Sequence, residues 1–215
     1  MKKKNLAFVI AISLIVSLFA SCSSANGFDK KVSEVRDCIY IGVADGYDVV
    51  AKGGEREQNY AVDGVAYSRQ EFFIISLSGK FSTPPTYSVE INGKKYEGNM
   101  TKHPFNDEYT CEINAHPHCN EITVSFIIDT NQVNATLQSV NDGSFISWEN
   151  ALSEAVKELE IKGDYDGEIF VRLIENPVKD DGKYYWYVAF CSKNDESVSV
   201  LINATDGKVV AKKTA

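Results

Sequence analysis

The sequence predicts a mainly β protein with an α+β end: an N-terminal antiparallel β-sandwich over residues 31–140, followed by a small helix-plus-three-stranded-antiparallel-sheet domain over residues 141–215. Three observations predict it. Dipeptides suited to tight turns recur at Asp45-Gly46, Asp63-Gly64, Asn92-Gly93, Asp142-Gly143, Asp166-Gly167, Asp181-Gly182 and Asp206-Gly207. Asn and Asp tolerate positive φ and Gly adopts it freely, so such pairs close two-residue hairpins. Short β-branched and aromatic runs lie between them, and helical periodicity is confined to the stretch after residue 147.

The clearest strands of the first unit are Cys38 to Val43, Tyr47 to Ala51, Glu71 to Leu77, Tyr87 to Ile91, Tyr109 to Ile113 and Glu121 to Ile128. In the last, Ile122, Val124, Phe126 and Ile128 point one way while Thr123 and Ser125 point the other, the period of a half-buried strand. Strands at this spacing suggest a sandwich, immunoglobulin-like in architecture. The pattern then changes. Trp148, Ala151, Leu152, Ala155, Val156 and Leu159 form one helical face, Ser147 is placed to cap the free amides, and Gly163 is the expected stop. Strands Glu168 to Glu175, Tyr184 to Cys191 and Ser197 to Ile202 follow, a meander that the apolar helix stripe would cover.

Residues 1–21 carry Lys2, Lys3 and Lys4, no acid, and an apolar run from Leu6 to Ala20. Fifteen helical residues span roughly 22 Å, short of the ~30 Å hydrocarbon core, so the segment reads as an export signal. Phe19-Ala20-Ser21-Cys22 resembles a bacterial lipobox. That resemblance implies cleavage before Cys22, a diacylglyceryl thioether on its sulfur, residues 22–30 as a tether, and a chain anchored to the outer face of a bacterial membrane. The whole sequence has a net charge of −8 and no basic block outside the leader, which argues against nucleic acid as a partner.

Four cysteines remain: Cys38, Cys111, Cys119 and Cys191. In an exported chain four cysteines allow three disulfide pairings, and buried free thiols are the other reading. Cys111 and Cys119 flank a hairpin end, which favours a bridge between them; Cys38 paired to either one is the alternative. The same loop carries Cys111, His116, His118 and Cys119, two thiolates and two imidazoles of the kind that hold zinc or copper. Their spacing matches none of the paired Cys-x-x-Cys frames, so a solvated loop explains them with fewer assumptions. Tyr184-Tyr185-Trp186-Tyr187 offers at most half its rings to one surface, making sheet packing the default and a glycan site the minority reading. No nucleophile elbow, phosphate loop or zinc-protease helix is present, and no catalytic residue or cofactor is assigned; an enzyme of unrecognised type on the β-unit stays open.

Within the last unit, Ile146-Ser147-Trp148-Glu149-Asn150-Ala151 with Ala155 resembles the opening helix of PepSY domains. Tyr185 to Phe190 is similar to their central strand, and Ser197 to Val209 to their closing strand and turn, with Asn203 where Asp is usual and Asp206 before Gly207. The resemblance covers residues 146–212. It implies a non-catalytic role, binding or restraining a peptidase or another envelope protein. A non-enzymatic envelope lipoprotein is the leading expectation, with a metal-binding envelope protein as its rival.

Overall fold

The computed structural model describes residues 27–58, 67–163, 165–179, 181–193 and 196–214. The expected export leader, the lipobox-like stretch with Cys22, and Asp63-Gly64 lie outside the described residues. No helix among the described residues is long and apolar enough to cross a membrane.

The chain is mainly β and its strand pairing is almost entirely antiparallel. In order, the strands are β1 (Val32–Ala44), β2 (Tyr47–Glu57), β3 (Arg69–Ser78), β4 (Thr86–Ile91), β5 (Lys94–Asn99), β6 (Thr101–Lys102), β7 (Glu108–Ile113), β8 (Glu121–Ile128) and β9 (Asn131–Ser139). Helix α1 (Trp148–Glu158) comes next, then β10 (Gly167–Glu175), β11 (Tyr184–Ser192), β12 (Ser197–Asn203) and β13 (Val209–Lys213). Two of the Asn/Asp–Gly pairs close two-residue hairpins as expected, with positive φ at both positions: Asp45-Gly46 between β1 and β2, and Asn92-Gly93 between β4 and β5.

The strands belong to one continuous hydrogen-bonded sheet. Residues 94–102 explain how it curls. As β5 this segment pairs with β4, and after the buried Met100 it continues as β6 and pairs with β7. One stretch of chain therefore touches both ends of the path β7-β3-β2-β1-β9-β8-β4, and the sheet is a nearly closed barrel. Inside lies a core that includes Tyr40, Phe73, Ile75, Leu77, Val124, Phe126 and Leu137. Closure of this kind removes free strand edges. Here the structure differs from the expected pair of facing sheets.

β1 decides the rest of the architecture. Its 13 residues span roughly 43 Å at ~3.3 Å each, enough to serve two neighbours on one side. Val32 to Arg36 pair in parallel with β10, while Tyr40 and Ile41 pair with β9; β2 runs along the other side. The meander β10-β11-β12, extended by β13, is thus an outgrowth of the barrel sheet across residue 140. Phe28, Val32, Val35 and Ile39 join the second core with Ala151, Leu152 and Ala155 of α1, as well as Ile169, Trp186, Phe190 and Ile202. Phe28, within the expected tether, is therefore a buried core residue.

α1 begins as expected, with the Ser147 hydroxyl accepting from the Asn150 amide. It ends earlier than the expected stop at Gly163. Glu160 turns into the left-handed region at φ 53, the Glu160 amide donates to Lys157 O, and the Ile161 amide donates to Val156 O. That double bond is the Schellman arrangement, formed here on a glutamate.

Candidate functional site

The register of β1 slips between Arg36 and Cys38, leaving Asp37 with no partner opposite on β2. The cause is Gly54. It holds φ 156, and a Cβ on it would lie 2.0 Å from the Val35 carbonyl oxygen, so no other residue lets the strands approach there. Bulges re-aim side chains, and this one brings Asp37 and Cys38 to the loop 114–120 that joins β7 to β8.

Four hydrogen bonds fasten that loop. The Tyr96 hydroxyl donates to Asn114 O (3.2 Å), Asn92 Nδ2 to His116 O (3.1 Å), the Tyr40 hydroxyl to Cys119 O (2.6 Å), and the Ser139 amide to Asn120 O (2.8 Å). Held this way, His116 places Nε2 2.9 Å from Asp37 Oδ1. One donor atom from each of Asp37, Cys38 and His116 lies within 4.8 Å of the other two, and no other such group occurs among the described residues. Asp37 Oδ1 is shielded from solvent, although the side chain as a whole is 27% exposed, and it meets the imidazole at hydrogen-bonding distance but off the aligned direction.

The electrostatics follow from burial and this proximity. Burial lowers the proton affinity of His116, but the Asp37 carboxylate, with Glu71 and Glu55 adding to it, raises it and wins. The Cys38 thiol is pushed far up, first by burial and then by the Asp37 charge, while the Gly53 amide favours the thiolate. Burial likewise pushes the Cys111 thiol up to about 12.

The residues singled out in the sequence do not gather as a set. Cys38, Cys111, Cys119 and Cys191 are all free thiols, and the expected Cys111–Cys119 bridge is not formed. Cys111 points into the barrel core, where its thiol meets Tyr87 and the backbone of Ile75. Cys119 is exposed and donates to Glu121 O at 3.2 Å. His118 is exposed, its ring centre 4.8 Å from that of His116. Of the four residues in the loop, only His116 enters the cluster. Cys38 entered the sequence reading only as a disulfide alternative, and Asp37 not at all, because both lie almost eighty residues away and carry no local motif. Of the tyrosine-tryptophan run, Trp186 is buried and donates through Nε1 to Ile146 O (3.1 Å).

A second feature lies on the outgrowth. Ile174, Pro177, Tyr187, Val200, Leu201 and Ala211 line an apolar groove of about 420 Å³, flanked by Lys212 and Lys213. It adjoins β13, whose outer side has no strand partner among the described residues. A larger depression of about 490 Å³ on β4, β5 and β8 carries Ser88, Lys95, Glu97 and Ser125 but no histidine to activate them.

No family model, no curated protein and no solved structure matches the chain.

Proposed function

We propose that the protein is a non-enzymatic, lipid-anchored protein of the bacterial cell envelope, held through Cys22, and that its C-terminal outgrowth binds an extended segment of a protein partner. The observation that supports this reading is the open β13 edge beside the apolar groove. Edge strands are usually guarded by charge, and β5 follows that rule with Lys94, Lys95 and Glu97 all exposed. β13 carries Lys212 and Lys213 at one end but exposes Val210 and Ala211 at its centre. An added strand would satisfy the free backbone groups and seat an apolar side chain against Tyr187 and Leu201, with Lys213 favouring a nearby acid while Lys212 is held by Glu158. The PepSY-like segment, Ile146 to Lys212, makes a peptidase the partner class of choice, and the barrel would then serve as a rigid spacer above the membrane.

The test uses the full chain in detergent with a panel of thermolysin-type metallopeptidases. Inhibition or micromolar binding by the wild type, lost in Leu201→Asp and in Val210→Lys, supports the reading. No inhibition and no binding across the panel overturns it.

A further inference from the structure

The geometry points to a site for one zinc-class divalent cation at the bulge of β1, with Asp37, Cys38 and His116 as its three protein ligands and water completing the coordination. This site is separate from the β13 groove and does not depend on the partner proposed there.

The donor set fits the ion. A carboxylate, a thiolate and a neutral imidazole together carry two negative charges, which a divalent cation cancels. The mixture of borderline and soft donors suits zinc rather than calcium or magnesium, which take oxygen ligands. Three protein donors with the remaining position open to water is the arrangement of an exchangeable rather than a closed structural site. Tetrahedral bonds of about 2.0–2.3 Å put ligand atoms roughly 3.5 Å apart, and the three donors already lie within 4.8 Å of one another, with Asp37 Oδ1 and His116 Nε2 at 2.9 Å. An ion entering between Asp37 and His116 would also give the shielded Oδ1 a directed partner in place of its misaligned imidazole contact. Cys38 gives up its thiol proton to water as the metal–sulfur bond forms, and the Gly53 amide is in place to support the thiolate.

The same residue types make a cysteine–histidine–aspartate nucleophile, but the arrangement differs. In such a relay the imidazole stands between the other two, whose reacting atoms then lie on the order of 7 Å apart. Here the Asp37 oxygen and the Cys38 sulfur are within 4.8 Å of each other as well as of the ring, so the three converge on a point instead of lining up.

The platform is firm on both sides. Gly54 fixes the bulge, and the loop carrying His116 is tied to Tyr40, Asn92, Tyr96 and Ser139. Ligands held by rigid elements lose little freedom on binding.

The full chain in detergent, with its thiols reduced, is titrated with cobalt(II) and zinc(II). One equivalent of cobalt is expected, with a near-ultraviolet sulfur-to-cobalt band that zinc abolishes. Cys38→Ser should remove the band, and His116→Gln and Asp37→Asn should weaken zinc binding on the order of 100-fold and 10-fold respectively. His118→Ala, on the same loop but outside the cluster, should bind as the wild type does. If any of these variants fails to fold by circular dichroism, the wild-type cobalt spectrum still decides the matter. Absence of a sulfur–cobalt band at one equivalent overturns the site, and so does a loss in His118→Ala equal to that in His116→Gln.

Discussion

Two acids three residues apart on β1 have opposite surroundings. Glu34 is buried and fully answered: Arg172 reaches it with Nε at 2.7 Å and an Nη at 3.2 Å, and Arg36 adds a third contact at 3.1 Å. The two-pronged Arg172 pairing spans the parallel seam between β1 and β10 and so ties the outgrowth to the barrel. Asp37, just past the bulge, is 27% exposed, but one of its oxygens is shielded from water and has no aligned donor, and its near neighbours are a thiol and an imidazole. A buried charge satisfied by protein partners is part of the scaffold. One left incomplete beside soft donors is where a ligand would act.

The contrast can be broken most severely at Gly54, since the bulge sets the surroundings of both acids. Gly54→Ala should cost at least ~3 kcal/mol, because a Cβ meets backbone and cannot be relieved by rotating a side chain. The urea midpoint of the full chain measures that loss, and a midpoint near that of the wild type would show that the bulge is not held by this glycine. Glu34→Ala should cost ~2–3 kcal/mol by the same measurement, with Glu34→Gln recovering part of it. The figure lies toward the low end for a broken buried pair because the Arg36 and Arg172 side chains are 26% and 32% exposed.

Trp186→Phe keeps most of the ring packing in the second core but strands the Ile146 carbonyl; about 1 kcal/mol should be lost. Asp37→Asn, in metal-free buffer at alkaline pH where the His116 imidazole is neutral, should change stability by less than ~0.5 kcal/mol in either direction, since the charge it removes then has no cation beside it; the loss should grow as the pH falls and His116 takes up its proton. A loss as large as that of Glu34→Ala would erase the distinction between the two acids. Finally, thiol reactivity should rank the cysteines without changing stability at all. With an alkylating agent at pH 8, exposed Cys119 should react first. Cys111, buried and with its thiol pushed up to about 12, should resist until the protein unfolds. Mass spectrometry of timed digests reads that order.

Strand positions were legible wherever alternation was strong, as in Glu121 to Ile128, and the helix was legible from its stripe and the Ser147 cap. β5 and β9 were not. β5 reads Lys-Lys-Tyr-Glu-Gly-Asn with no buried residue, and β9 buries only Ala135 and Leu137. Both are strands because neighbours supply ladder partners, a condition invisible in their own composition. The helix stop was misplaced for a related reason: glycine is the usual residue for a left-handed turn, but Val156 and Ile161 both pack on the second core beneath this one, so the geometry forms on Glu160. Of the candidate site, His116 was legible as one of a small group of histidines near cysteines and Cys38 only as a candidate disulfide partner, whereas Asp37 had nothing to mark it.

What sequence alone determined here is local: two of the Asn/Asp–Gly hairpins, the alternating strands and the capped amphipathic helix. These depend on backbone preferences and periodicities that act over a few residues. Tertiary structure decided that β1 serves two cores, that residues 94–102 close the barrel, and that Asp37 and Cys38 meet His116. Such pairings join segments far apart in the chain, and they arise from the global competition among strand partners and buried surfaces, which no short stretch of residues encodes.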